Sequence, residues 1–187
     1  MVGILVELVI SWILLWFFTN KHLSVLGFSP TKSRIITLGV GFLIAVSCCI
    51  MHQFMTTIFA NNSWILNKQV TAETILERSR WNLVSVLYEE LIFRGALLYI
   101  AIKKIGITKA CVFSAICFGI YHWFTFNVFG DPFMMVVTFL TTAIVGFSWA
   151  LAFAKTKSLY LPIGLHFGWN LFNTVVFSKV HPDKQFL

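Results

Sequence analysis

Long stretches of apolar residues that are nearly free of charge constrain the fold of this chain more than any other feature. Of its 187 residues, 58% are hydrophobic and only 11% are charged. Soluble domains carry about 45–50% apolar residues and roughly a quarter charged residues, so this composition excludes a soluble domain of this length. A membrane-crossing helix needs about 20 apolar residues, and six such helices use most of the chain. The sequence predicts an all-α polytopic membrane bundle that forms one integral-membrane domain over residues 1–187.

The predicted membrane spans follow from where the apolar stretches begin and end. They are residues 2–18, 35–60, 81–102, 110–126, 133–154 and 161–177. We expect the first to be a retained helix, because it has neither the basic start nor the small-residue cleavage site of a signal peptide. Residues 61–80 mix apolar and charged side chains and predict an interfacial amphipathic helix. Short lysine-containing turns predict that the third and fourth spans, and the fifth and sixth, form helical hairpins.

The net charge of +7 does not indicate a nucleic-acid partner, because the basic residues lie in the short gaps between apolar stretches. The gaps after the first, third and fifth spans hold eight Lys and Arg, and the segments on the other side hold five. Positive residues favour the cytoplasmic side of a membrane. Both termini are therefore predicted to lie outside the cell.

Ionisable and polar side chains are concentrated inside three of the predicted spans. They are Glu89, Glu90 and Arg94 in the third span, His122 in the fourth, and His166 and Asn170 in the sixth. Charged groups in hydrocarbon cost several kcal/mol and persist mostly where they face a protein interior and have partners. Taken singly, each fits a structural role as a buried ion pair, a core histidine or an interhelical hydrogen bond. Their number in so apolar a chain favours a functional site within the membrane.

Helical spacing assigns different roles to these side chains. Glu90 and Arg94 are four residues apart and can form an ion pair on one helix face. Glu89 points about 100° away from Glu90 and has no local partner, which makes it the candidate general base. His166 and Asn170 are also four apart, so both can donate hydrogen bonds to a developing oxyanion.

The depth of the two histidines is predicted from their distance to the connecting turns. His122 and Glu90 each lie 13 residues from the turn that joins their spans, so they are at matching depth. His166 is only nine residues past Lys157, which places it roughly 6 Å shallower at 1.5 Å per residue. Either the turn at residues 155–160 dips into the bundle or the last span, with Pro162 in its first turn, is tilted. Other polar intrusions, Glu7 and the His52-Gln53 pair, are interpreted as structural groups at helix ends.

Three motifs occur in order along the chain, on three of the apolar segments within residues 81–177. They are Glu89-Glu90-x-x-x-Arg94, Phe118-x-x-x-His122 and His166-x-x-x-Asn170. This ordered set resembles the motifs of the CAAX protease and bacteriocin-processing family of intramembrane endopeptidases, also called the Abi family. The resemblance makes residues 81–177 the catalytic core and residues 1–80 two accessory spans with an interfacial segment.

The resemblance implies a glutamate-dependent peptidase that needs no cofactor. Glu89 would activate a water molecule, His122 would help hold that water, and His166 with Asn170 would stabilise the tetrahedral oxyanion. The supporting residues are Glu90, Arg94 and Phe118. The implied partners are membrane lipid and a peptide or lipidated protein, and both a prenylated C terminus and a leader peptide fit this substrate class. The short chain looks more like a bacterial member of the family, which predicts a bacterial cell membrane, and the oligomeric state stays open.

Two alternative functions remain open at this point. One Glu and two His form a familiar ligand set for catalytic zinc, and Glu89 or Glu90 with His122 and His166 would supply it. No H-E-x-x-H pair is present, so the usual helix-borne zinc signature is absent, and a site without metal is the main prediction. In the second alternative, a non-enzymatic bacteriocin-immunity or ion-coupled membrane protein, the same carboxylates and histidines relay protons.

Overall fold

The computed structural model describes residues 2–60, 64 and 70–177, and this part of the chain is helical without strands. Its α-helices are α1 (Val2–Thr19), α2 (Lys32–Ala60), α3 (Ala72–Arg94), α4 (Ala96–Ile105), α5 (Ile107–Thr125), α6 (Pro132–Thr156) and α7 (Tyr160–Leu171). A 3-10 turn, Leu23–Leu26, follows α1, and a π-helical segment, Phe172–Val176, continues α7. Within these residues, four helices, α1, α2, α5 and α6, are long and apolar enough to cross a membrane. The predicted polytopic helical bundle is confirmed.

The predicted third span consists of two helices instead of one. Helix α3 begins at Ala72, where the Thr71 hydroxyl accepts a hydrogen bond from the Thr74 amide at 3.2 Å as an N-cap. It ends at Arg94, and α4 begins directly after Gly95. A side chain at position 95 would run into the backbone carbonyl of Leu91, so this break requires glycine.

The early start of α3 also changes the expected interfacial segment. Residues 72–80 are the first turns of α3 and are continuous with the helix that carries Glu89, Glu90 and Arg94. Residues 61–63 and 65–69 of the predicted interfacial helix lie outside the described residues. The polar part of the segment that the structure describes is therefore an extension of the motif-bearing helix.

Helix α7 packs along α2, and α5 packs along α6. Small residues permit the first of these contacts. A Cβ at Gly168 would lie 2.6 Å from the carbonyl oxygen of Phe42, and one at Gly41 would lie 2.8 Å from that of Leu161. Such close backbone approach at small residues is typical of membrane helix pairs. The fifth and sixth predicted spans are joined by a tight turn, but α7 has its main partner in α2.

The turn between α6 and α7 lies inside the bundle, which accounts for the depth of His166. Ser158 and Leu159 are each 1% exposed. The Leu159 amide donates to the carbonyl of Leu26 at 3.2 Å, so the segment after α1 covers the turn. Of the two alternatives that the spacing left open, the structure supports the turn that dips into the protein.

Candidate active site

Glu90 is the buried hub that joins three helices. The side chains of Glu90 and Arg94 are both 0% exposed, and Arg94 Nη1 lies 3.3 Å from Glu90 Oε1, which confirms the ion pair expected from the spacing. The same Oε1 lies 2.8 Å from Nδ1 of His166 on α7. Arg94 Nη2 also donates to the carbonyl of Gly146 on α6 at 3.2 Å. One ion pair on α3 therefore anchors both α6 and α7.

Glu89 points away from this ion pair and towards both histidines. Its Oε1 accepts a hydrogen bond from Ser85 Oγ at 3.4 Å, one turn earlier on α3. Its Oε2 lies 4.0 Å from Nε2 of His122 and 3.7 Å from Nε2 of His166. Within the described part of the chain, this buried oxygen has no hydrogen-bond partner. The structure thus brings Glu89 rather than Glu90 to His122, although the spacing had placed Glu90 at the matching depth.

The hydrogen bonds of the two histidines determine which ring nitrogen faces Glu89. Nδ1 of His122 lies 2.8 Å from the carbonyl oxygen of Phe118, which can only accept, so Nδ1 carries a hydrogen. Nδ1 of His166 donates in the same way to the carboxylate of Glu90. Both rings are therefore fixed with Nε2 directed at the Oε2 atom of Glu89.

Phe118, expected as a supporting residue, lies at the centre of the site. Its ring centroid is 4.1 Å from the guanidinium carbon of Arg94 and 4.4 Å from the ring centroid of His122. A cation over an aromatic face is stabilised electrostatically when both are shielded from water. Phe118 thus holds the second motif against the first through its ring, and holds His122 through its backbone carbonyl.

Helix α6 contributes two residues that the sequence did not identify. The indole of Trp149 stacks on His166, with ring centroids 4.0 Å apart and planes 26° from parallel. A Cβ at Gly146 would lie 2.8 Å from Cδ1 of Phe118 and 3.2 Å from Nη2 of Arg94, so only glycine allows α6 this close. Neither residue belongs to a motif, and an apolar helix that contains one tryptophan and one glycine gives no distinctive pattern.

Asn170 lies one turn beyond His166 on α7 and is half-buried. Its backbone carbonyl accepts a hydrogen bond from the Thr174 hydroxyl at 2.8 Å. In the part of the chain that the structure covers, its side-chain amide has no hydrogen-bond partner. The other six motif residues are Glu89, Glu90, Arg94, Phe118, His122 and His166, and the structure brings them together in one cluster. Asn170 lies one helical turn beyond His166, and its amide donors are unused within the described residues.

The residues weighed as zinc ligands do not form a metal cluster. Among the described residues, no group of three or more His, Cys, Asp or Glu side chains is arranged to hold a metal ion. Glu90 is engaged by Arg94 and His166, which leaves Glu89 as the carboxylate that faces both imidazoles.

The comparison with known proteins gives one family match. A family model described as type II CAAX prenyl endopeptidase Rce1-like matches residues 72–172, more than half of the chain. The match contains all three motifs and confirms the resemblance predicted from them. No curated protein and no solved structure matches the chain significantly.

Proposed function

Because the chain belongs to the type II CAAX prenyl endopeptidase Rce1-like family, we propose that it is an intramembrane endopeptidase of the glutamic type. Its substrate would be a membrane-associated peptide or a lipidated protein. The observation that carries the proposal is the buried Oε2 of Glu89, which faces Nε2 of both His122 and His166 without a hydrogen bond of its own in the described structure. The apolar helices and the family together indicate an integral membrane protein.

The separations around Glu89 suit a bridging water. Distances of 3.7 and 4.0 Å between Oε2 and the two Nε2 atoms are too long for direct hydrogen bonds. A water molecule can bridge polar groups at such separations. In the proposed reaction it donates one hydrogen to Glu89 Oε2 and the other to Nε2 of His122, so that its oxygen lone pair is directed at the substrate carbonyl.

The proposed reaction conserves protons through Glu89. The water oxygen bonds to the carbonyl carbon while its proton passes to Glu89, and the carbonyl oxygen becomes an oxyanion. When the tetrahedral intermediate collapses, the C–N bond breaks and the leaving nitrogen takes the proton from Glu89. The products are a carboxylic acid and an amine, and the Glu89 carboxylate is restored.

His166 and Asn170 are the proposed oxyanion donors. Asn170 supplies a side-chain N–H that has no other acceptor within the described residues. His166 donates from Nε2 in the form in which both of its nitrogens carry hydrogen, with its Nδ1 held 2.8 Å from Oε1 of Glu90. Losing one such donor typically costs about 10²–10³-fold in kcat.

The function is tested by cleavage of a quenched fluorescent peptide with a farnesylated cysteine four residues from its C terminus, beside the same peptide without the lipid. Wild type is compared with Glu89→Gln and with Glu77→Gln, a matched control that removes an exposed carboxylate from the same helix. We expect Glu89→Gln to lose cleavage, and the wild type and Glu77→Gln to keep it. We also expect the wild type to cleave the peptide in the presence of a strong chelator.

The remaining outcomes distinguish the alternatives. Loss of wild-type cleavage with chelator, restored by added zinc, would support the zinc-dependent protease instead. Equal cleavage of both peptides would identify a peptidase that does not require the lipid. Absence of cleavage by folded wild-type protein on either peptide would contradict this endopeptidase activity and favour the immunity or ion-coupled role.

A further inference from the structure

The segment that follows Asn170 departs from α-helical geometry. Residues Phe172–Val176 form a π-helical turn, closed by a 2.8 Å hydrogen bond from the Phe177 amide to the Phe172 carbonyl. Single π-helical turns are rare and occur frequently at functional sites. The turn directs two consecutive polar residues, Asn173 and Thr174, to two different helices.

Thr174 connects α3 to the backbone of Asn170. Its hydroxyl donates to the Asn170 carbonyl at 2.8 Å and accepts from Nδ2 of Asn82 at 2.9 Å. The second hydrogen on Asn82 Nδ2 is donated to the carbonyl of Arg78 at 2.8 Å. Asn82 is 3% exposed, so this is a buried polar side chain with both amide hydrogens used. The chain of bonds leaves the Thr174 hydroxyl one orientation, the one that holds Asn170.

Asn82 shares the helix that carries the proposed base. It lies seven residues before Glu89, close to two helical turns, and so occupies the same face of α3. Asn170 and Thr174 lie four apart on one face of the last helix. These faces of α3 and the last helix are in contact at two levels. Glu89 lies against His166 at one level, and Asn82 bonds to Thr174 at the other. A shift of the π-turn along α3 would therefore move Asn170 relative to Glu89.

We propose that Asn82 and Thr174 are positioning residues that set the place of Asn170 beside the reacting carbonyl. The inference rests on the proposed function, because it requires Asn170 to act as an oxyanion donor. Neither residue belongs to a motif, and an Asn and a Thr that lie 92 positions apart give no sequence pattern. Their hydrogen bond links α3, which carries the proposed base, to the π-turn that follows the proposed oxyanion donor.

A second hydrogen bond to the same π-turn provides an internal control. Nε2 of Gln53 on α2 donates to Oδ1 of Asn173 at 3.1 Å. This bond joins α2 to the π-turn, as the Asn82 bond joins α3 to it, but it does not involve Asn170. Loss of the Gln53 bond therefore reports what a merely structural contact contributes.

The test uses the full-length enzyme and the farnesylated peptide. Thr174→Val removes the hydroxyl at nearly constant shape, and Asn82→Leu removes the donor from the other side. A small misplacement of a transition-state group lowers kcat far more than KM, and we expect a loss of about 10-fold in kcat for each variant. Thr174→Ser, which keeps the hydroxyl, should retain wild-type kcat, and so should Gln53→Leu. All measurements are made at a temperature at which circular dichroism shows every variant folded.

Combining Thr174→Val with Asn170→Ala tests the positioning role of Thr174 separately from the oxyanion role of Asn170. If Thr174→Val acts through Asn170, it should have no further effect on kcat in the Asn170→Ala background. An Asn170→Ala enzyme with full kcat would contradict the oxyanion role of Asn170, and with it the positioning role of Asn82 and Thr174, while the endopeptidase activity would stand. If Asn170→Ala lowers kcat but Thr174→Val and Asn82→Leu do not, only the positioning role of Asn82 and Thr174 is contradicted. The same conclusion follows if Thr174→Val lowers kcat by the same factor in the wild-type and the Asn170→Ala enzyme.

Discussion

Oε1 of Glu90 lies 2.8 Å from Nδ1 of His166, so the carboxylate that neutralises Arg94 also holds the third motif. The spacing of the first motif accounts only for the Glu90–Arg94 pair. Glu90 also orients His166, because the bond to Nδ1 directs Nε2 of that ring towards Glu89. The two adjacent glutamates thus differ in their contacts: Glu90 joins Arg94 to His166, and Glu89 faces Nε2 of both histidines.

The two glutamates are expected to respond differently to the same substitution. Glu89→Gln keeps the shape of the side chain but removes the base, so kcat should fall by about 10³-fold or more with little change in unfolding temperature. Glu90→Gln leaves the guanidinium of Arg94 buried without a counter-charge, which typically costs about 3 kcal/mol or more. Peptide cleavage and thermal unfolding in detergent measure both effects. A stable, fully active Glu90→Gln enzyme beside an unfolded Glu89→Gln protein would reverse the assignment.

Trp149 is expected to orient His166 through its stacked indole. Trp149→Ala opens a cavity beside the ring and should lower the free energy of unfolding by about 3 kcal/mol or more, with a lower kcat. Trp149→Phe keeps an aromatic face against His166 and should recover most of both losses. Trp16→Ala, at an exposed position on α1, serves as the matched control for loss of an indole. Equal kcat in Trp149→Ala and wild type would contradict the orienting role.

Gly146 and Gly39 offer a paired test of how tightly α6 packs on the site. Alanine at Gly39 meets no atom within 4 Å and should stabilise α2 by about 0.5–1 kcal/mol through its higher helix propensity. Alanine at Gly146 meets Phe118 at 2.8 Å, and overpacking of this kind costs about 1–3 kcal/mol. Thermal unfolding of both variants should therefore shift in opposite directions. Stabilisation of both would show that α6 has room to retreat from Phe118.

The orientation in the membrane is predicted from one lysine-rich face of the bundle. Lys104 Nζ lies 4.9 Å from the ring centroid of Phe18, which brings the ends of α1 and α4 together. The Leu159–Leu26 bond brings the end of α6 to the same face. We expect this face to be cytoplasmic and a tag at either terminus to be accessible from outside intact cells. Accessibility of such a tag only after permeabilisation would invert the topology.

Much of the fold could be predicted from the sequence because membrane insertion depends on local composition. Apolar length alone indicated helices for α1, α2, α5 and α6. The i,i+4 spacing indicated the Glu90–Arg94 pair, since a 3.6-residue repeat places both on one face. The break at Gly95 was missed because it depends on an unusual backbone conformation that hydropathy does not register.

The tertiary structure decided how the helices pack laterally, and most of the site depends on that packing. Helix α6 lies against both α5 and α7. For this reason Trp149 stacks on His166, and Gly146 leaves space for the side chains of Phe118 and Arg94. Helix periodicity determines which face a residue occupies, and hydropathy determines whether its segment enters the membrane. Neither determines which helix a face meets, because contacts between distant segments depend on the volume, small residues and polar partners of both surfaces at once. The sequence alone therefore predicted the candidate groups and the helices that carry them, and only the three-dimensional packing showed that Glu89, and not Glu90, faces both imidazoles.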